Sequence, residues 1–275
     1  MLQVPYFIYL VIYWACIVGG AWALIDAVRR RTDAYPAATN QTKSFWLVVL
    51  SAGLAAQIIF PALSEEGGVA WRLERLPESY RAIVVDKGST DNTAAVALSF
   101  GALGVQEPVA GCGAACAAGL KASTAEVIAF CDADASLNPQ DLPLVCDPVI
   151  AGTADLVLGA RVGSERGAFS SHARAANRFL SWRLRRDYGV RVTDLGPMRA
   201  IRREPLEGLG IRDRRFGWPL EMVIRAALEG WNIEEVSVPY YPRIGKSKVT
   251  GTVRGTAKAV KDMSQVLRSL DLSRS

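Results

Sequence analysis

Residues 81–93 read RAIVVDKGSTDNT and residues 126–136 read EVIAFCDADAS. Each opens with a short apolar run rich in β-branched residues and stops at an aspartate followed by small, turn-forming residues. A run of that length and chemistry is a strand covered on both faces. QIIFP (57–61) and DLVLG (155–159) have the same character. Between these runs lie segments of helical character: 65–76, ended by Pro77, then 90–100, with Ser89 or Thr90 as N-cap, then the Gly-rich 111–119. The alternation predicts an α/β fold, a mostly parallel sheet with helices on both faces. Ligands of such sheets bind beyond the carboxyl ends of the strands. The candidate site is therefore the set of residues that follow each strand: 61–66, 86–93, 132–136 and 160–161.

Asp132 and Asp134 stand at alternate positions at one strand end. Two carboxylates reaching one edge repel each other unless a cation sits between them. Hard oxygen ligands select Mg²⁺ or Mn²⁺, ions that typically also hold substrate phosphates. A metal-bridged diphosphate is a good leaving group, because the ion offsets the charge that develops on it. A turn with two solvated aspartates would carry the same letters.

Outward toward the N-terminus, no charge precedes Asp26, and Val4–Ile25 is long enough to span a bilayer as a helix. Arg29, Arg30 and Arg31 follow at once and place that end on the cytoplasmic side. After a polar linker, 32–43, a second uncharged run covers 44–64. A second full span would put the rest of the chain outside. The reading adopted is a short membrane-lying helix over 45–56, with a possible second membrane segment over 45–62. The expected organisation is a membrane anchor (1–56), a catalytic domain (57–265) and a C-terminal tail (266–275), at the cell membrane with the catalytic domain cytoplasmic.

The chain has 275 residues, mean hydropathy +0.15 and net charge +5. From Arg161 onward there are 23 Lys and Arg against 12 Asp and Glu, which suggests an anionic partner. No helix-turn-helix, zinc or ribonucleoprotein motif supports nucleic acid. Five cysteines without a C-x-x-C pair, and a single histidine, fit a reducing compartment and argue against zinc. HARAANRFLSWRLRR (172–186) can be drawn as a basic helix carrying Phe179 and Trp182. It suits an anionic membrane interface, and equally a helix packed on the sheet with solvated arginines.

Taken in order, FPALSEE, VVDKGSTDNT, GCGAACAAGL, FCDADAS, TDLGPMRAIRRE and RIGKSKVTGT resemble glycosyltransferase family 2 over residues 58–263. They look closest to its polyprenyl- and dolichyl-phosphate sugar synthase branch. Residues 1–56 also look like a family of small membrane proteins of unknown function. The first resemblance implies a three-layer α/β/α GT-A fold and an inverting transfer from a UDP- or GDP-sugar to polyprenyl phosphate, with Mg²⁺ or Mn²⁺. The alternatives are a soluble phosphorylated acceptor such as a glycerate, or a non-catalytic membrane scaffold. Position by position, the resemblance puts Pro61, Ala62, Glu65, Asp86, Gly113, Lys121, Asp132, Lys246 and Lys248 on the donor. It puts Asp134 with Asp132 on the metal, and Arg161, Asp194 and Glu221 at the reacting centre. Arg199, Arg202 and Arg203 become candidates for an acceptor phosphate. A hydroxyl acceptor would need a base, Asp194 or Glu221, whereas a phosphate is already an anion. Three departures stand out: Ser64 where the family usually has Asn, Lys87 where it has Asp or Asn, and no His after His172. A cation at Lys87 either pairs with the diphosphate or marks a weakened site.

Overall fold

The computed structural model describes residues 56–62, 65–163, 171–242 and 253–272. The expected span over 4–25, the segment over 45–55, Ser64, Lys246 and Lys248 lie outside the described residues. Among the described residues no helix is long and apolar enough to cross a membrane.

In chain order the strands are β1 (Ala56–Ala62), β2 (Arg81–Asp86), β3 (Leu103–Gln106), β4 (Val127–Phe130), β5 (Leu156–Gly163), β6 (Arg199–Arg202) and β7 (Ile233–Tyr240). Among the described residues the helices are α1 (Glu66–Leu73), α2 (Thr93–Ser99), α3 (Cys112–Ala122), α4 (Leu142–Ala151), α5 (Ser171–Tyr188), α6 (Arg203–Gly208), α7 (Trp218–Leu228) and α8 (Val253–Leu272). The strands form one seven-stranded sheet in the order β3-β2-β1-β4-β6-β5-β7. Among the described strands only β6 runs antiparallel to its neighbours, β4 and β5. The α/β architecture and mostly parallel sheet expected from the sequence are present.

Two corrections concern domain limits. The apolar run over 44–64 contains a strand of the sheet. Residues 56–62 are β1, paired with β2 and β4, so a second membrane segment cannot extend to residue 62. At the other end, α8 continues through residue 272 with Val266 and Leu270 buried against the core, so residues from 266 onward are part of the domain.

Helix limits shift for local reasons. α1 stops at Leu73, three residues before the expected Leu76, and its last turn tightens through Arg75 N–H to the Arg72 carbonyl (3.1 Å). α2 begins at Thr93, because Ser89 is drawn to Asp86 instead of capping. The Asp91 carboxylate accepts from the Thr93 N–H (3.1 Å) and hydroxyl (2.5 Å) and closes the turn in front of the helix.

Alternate residues of each central strand feed two cores. Ile58, Phe60, Val84, Val127 and Ala129 face α1, α2 and α4. Ile59, Ile83, Val85, Ile128 and Phe130 face α3, α5, α7 and α8. In the second core the Phe130 and Trp218 rings meet edge to face, centroids 4.8 Å apart. Trp218 is 2% exposed and opens α7 directly behind the end of β4. Trp218→Ala should therefore cost about 3–5 kcal/mol of stability, read as a lowered denaturation midpoint at unchanged m-value. A loss under about 1 kcal/mol would mean that α7 is not seated by this ring.

Candidate active site

The carboxyl ends of β1, β2, β4 and β5 line one edge of the sheet, and each brings a different group there. Ala62 at the end of β1 stands in register with Asp86 at the end of β2, and Asp86 with Gln106 at the end of β3. Asp86 is buried. Its Oδ1 accepts from the Ser89 N–H (2.8 Å) and hydroxyl, and its Oδ2 from Gln106 Nε2 (3.0 Å). Three donors against roughly four lone-pair directions leave room for one more, such as a base N–H. Pro61 and Ala62 close β1 beside it, and Glu65, whose N–H donates to Thr93 Oγ1 (3.0 Å), opens the way into α1. Burial works to raise the Asp86 pKa, but the hydrogen bonds from Ser89 and Gln106 win and hold it below the usual carboxylate range.

Beyond β4 the chain turns through Asp132–Ser136. Ala135 has a positive φ of 59°, a conformation an L side chain adopts only under constraint. The Asp134 Oδ1 accepts from the Ser136 N–H (3.1 Å) and hydroxyl (2.5 Å), and the Ser136 carbonyl accepts from the Tyr241 N–H (2.9 Å). Asp134 is buried and Asp132 half-buried. From behind, α1 is pressed onto this turn: a Cβ on Gly68 would lie 2.2 Å from the Ala133 carbonyl oxygen, so only glycine fits. One helical turn on, Arg72 is fully buried, with Nη2 3.8 Å from Asp134 Oδ1.

At the end of β5, Arg161 and Asp194 form a bidentate pair, Nε–Oδ2 2.7 Å and Nη2–Oδ1 2.8 Å, and the Arg161 N–H also donates to Oδ2 (2.9 Å). The loop carrying Asp194 is gripped from two further sides. Glu235 of β7 accepts from the Thr193 N–H (2.5 Å), the Thr193 hydroxyl (2.7 Å) and the Asp194 N–H (3.0 Å). Asn177 of α5 donates to the Thr193 carbonyl (2.8 Å) and accepts from the Leu195 N–H (3.1 Å). Asp132 is near enough for its charge to act on both Arg161 and Arg199. The structure thus brings Asp86, Asp132, Asp134, Arg161 and Asp194 to one edge.

Other expected residues go elsewhere. Arg199 is 2% exposed, and its guanidinium donates to the Gly196 and Pro219 carbonyls. It fastens the loop at Gly196 to the first turn of α7 and is closed to an acceptor. Arg202 pairs with Val127, at the start of β4, and bonds Glu126. Arg203 bonds the Ala125 carbonyl and Glu207. Because β6 runs antiparallel, these last two arginines lie at the opposite end of the sheet. Lys121 sits there too, in the last turn of α3, where the following residues bond Gln57 at the start of β1. Glu221 is buried and accepts from the Arg212 and Asp213 N–H groups and from Arg225 Nε (2.6 Å), so it shapes the loop before α7. That loop covers the start of α3. The Gly113 and Ala114 N–H groups donate to the Arg215 and Arg214 carbonyls, and a Cβ on Gly113 would meet the Trp218 Cβ at 2.7 Å. Gly113 is used for close packing and not as a cradle. Glu235, Asn177, Gln106 and Arg72 were not singled out in the sequence, because nothing local to them announces a partner 16 to 62 residues away.

Among the described residues no group of three or more His, Cys, Asp or Glu could hold a metal ion. Asp132 and Asp134 nonetheless fit a hard divalent cation in part. They supply two carboxylates at one strand end, and a diphosphate would supply the remaining oxygens.

A doubly covered, mostly parallel sheet with a D-x-D turn after one strand and a buried aspartate after another agrees with the glycosyltransferase resemblance of the sequence. Residues 58–210 match the model of glycosyl transferase family 2, more than half of the chain, and the chain belongs to this family. Residues 2–71 match a second model, a protein of unknown function, DUF2516. An uncharacterized glycosyltransferase of Mycobacterium tuberculosis is 44% identical over 217 residues, 78% of this chain and 99% of the relative. A dolichyl-phosphate hexose transferase of Haloferax volcanii is 30% identical over 196 residues, 70% of this chain and 83% of the relative. Among solved structures, glucosyl-3-phosphoglycerate synthase from M. tuberculosis in complex with Mn²⁺, UDP and phosphoglyceric acid shares the fold. Its TM-score is 0.63 at 21% identity, covering 82% of this chain and 81% of that one.

Two outcomes test the geometry. The folded-state pKa of Asp86 lies below its unfolded value, so its bonds stabilise the fold above about pH 3.9 and lose that effect as pH falls through the lower, folded value. Asp86→Asn should give a shallower acid loss of stability than wild type below about pH 4, and superimposable acid limbs would contradict the assignment. Arg161→Ala and Asp194→Ala should each cost about 3–5 kcal/mol, since each strands a buried charge. The double variant should cost far less than the sum, and strict additivity would show that the pair is not coupled.

Proposed function

We propose that this glycosyltransferase moves a hexose from a UDP- or GDP-sugar to a polyprenyl phosphate at a membrane surface, with inversion at the anomeric carbon. The observation that carries this reading is the outer face of α5. Asn177, Leu180, Leu184 and Tyr188 turn inward, with Leu184 fully buried. Arg174, Arg178, Phe179, Trp182 and Arg186 turn outward. Phe179 is 55% and Trp182 50% exposed, their rings are 5.9 Å apart, and Arg186 lies over the Trp182 ring at 4.7 Å. The sequence shows no clean apolar stripe here because the large apolar residues divide between two opposite faces. An exposed aromatic pair among arginines suits an anionic lipid interface. Asn177, on the inner side of the same helix, holds the loop of Asp194.

In this reading Asp86 orients the base, and Asp132 and Asp134 would hold Mg²⁺ or Mn²⁺. That ion, when bound, offsets the charge developing on the departing diphosphate. The chain's own carboxylates favour a phosphate nucleophile. Asp194 is committed to Arg161, and Glu221 to backbone N–H groups and Arg225, so neither stands ready to take a hydroxyl proton. A phosphate monoester needs no base. Arg174 and Arg178, at the outer end of the helix, replace the three arginines of β6 and α6 as its partners. The apolar run over 4–25 and the arginines after it would keep the catalytic domain on the cytoplasmic face. The second reading, a soluble phosphorylated acceptor such as a glycerate, is supported by the fold shared with the phosphoglycerate-bound neighbour.

The test is transfer by the full chain in detergent, offered either a short-chain polyprenyl phosphate or 3-phosphoglycerate. We expect transfer to the lipid phosphate. A charge-assisted contact is worth about 1.5–3 kcal/mol, so Arg178→Ala should raise the acceptor KM roughly tenfold or more with donor affinity unchanged. Transfer to phosphoglycerate alone, indifferent to Arg174 and Arg178, would replace this reading with the second one.

A further inference from the structure

Arg72 is the largest fully buried side chain among the described residues, at 0% exposure. Its Nη1 donates to the Cys131 thiol (2.9 Å), and its guanidinium lies 5.5 Å from the Phe60 ring centroid. Nε and Nη2 have no hydrogen-bond partner among the described residues. Nη2 stands 3.8 Å from Asp134 Oδ1, an ion pair too long for a hydrogen bond. A buried, half-satisfied guanidinium is an expensive way to fill a core, since no full set of hydrogen bonds offsets its desolvation. Its position is also tightly set. Gly68, one turn earlier on α1, is in backbone contact with Ala133, so Arg72 cannot drift from the carboxylate.

We infer that Arg72 is a resident counter-charge that makes divalent-cation binding conditional on the nucleotide diphosphate. Two carboxylates with the Arg72 cation behind them, and Arg199 within reach of Asp132, carry at most about one net negative charge. That is too little to hold Mg²⁺ or Mn²⁺ firmly when the protein supplies no third ligand among its described residues. The diphosphate brings the missing charge and the missing oxygens. Ion and nucleotide therefore bind together and leave together, and the cation of Arg72 keeps the emptied site from self-repulsion or from trapping an ion. The inference rests on Asp132 and Asp134 being the ion's ligands.

The experiment measures Mn²⁺ affinity of the full chain in detergent by calorimetry, with and without UDP and with GDP in parallel, for wild type, Arg72→Met, Arg72→Gln and Arg72→Lys. Thermal melting of each without metal is recorded alongside. Wild type and Arg72→Lys should bind Mn²⁺ weakly alone and much more tightly with the nucleotide. The neutral variants should bind Mn²⁺ alone at least tenfold more tightly than wild type, with the nucleotide's enhancement reduced by the same factor. A neutral variant that stays folded but binds Mn²⁺ alone no better than wild type would overturn the inference. So would Arg72→Lys behaving like the neutral variants. If Arg72→Met does not fold, Arg72→Gln, which keeps a donor for Cys131, decides. Wild type that binds no Mn²⁺ with either nucleotide would instead remove the metal assignment itself.

Discussion

Two carboxylates placed two residues apart beyond a buried strand repel each other, and their turn needs support from every side. In this domain the support comes from elements far apart in sequence. α1 contributes a glycine that lets backbone touch backbone and an arginine that faces Asp134. Ser136 returns both its N–H and its hydroxyl to the same carboxylate, at the cost of a left-handed Ala135. The strand feeding the turn is itself clamped between β1 and β6, with Phe130 wedged on Trp218. Move α1, β6 or α7, and the turn loses a wall.

The loop carrying Asp194 follows the same design with different chemistry. Three anchors from β5, β7 and α5 meet at one short loop, and each uses a side chain that makes two or more hydrogen bonds at once. The loop is rigid because it is over-determined. Its orientation is shared between the sheet and a helix whose other face is apolar and basic. That sharing separates the two acceptor readings in physical terms. A soluble acceptor makes no use of Phe179 and Trp182 in the open, whereas a lipid acceptor needs a surface of that kind next to the loop.

The strands with uniform apolar runs, β1, β2, β4 and β5, were legible because burial on both faces leaves few polar letters. β3, β6 and β7 were not: LGVQ is largely exposed, RAIR is short and charged, and IEEVSVPY is mostly half-buried. The direction of β6 was equally hidden, since nothing in four residues encodes it. That one unknown misplaced Arg202 and Arg203, which sequence order put beside the Asp194 loop and the reversed strand carries away. The aspartates at strand ends could be read because the fold itself makes strand ends special. Glu221, in the first turn of α7, carried no comparable signal, and its partners at Arg212 and Asp213 belong to a loop whose path is a tertiary outcome.

The covered start of α3 has one more consequence. Helix N-termini are a common resting place for phosphate, since their unpaired N–H groups and dipole favour an anion. Here the Arg214 and Arg215 carbonyls already occupy that end. A diffuse backbone dipole is therefore withdrawn from this edge of the sheet, and its field is left to a handful of full, discrete charges. Discrete charges at a partly wet edge respond strongly to ionic strength. The loop before α7 thereby makes the attraction of this edge for any anion a property that salt can tune.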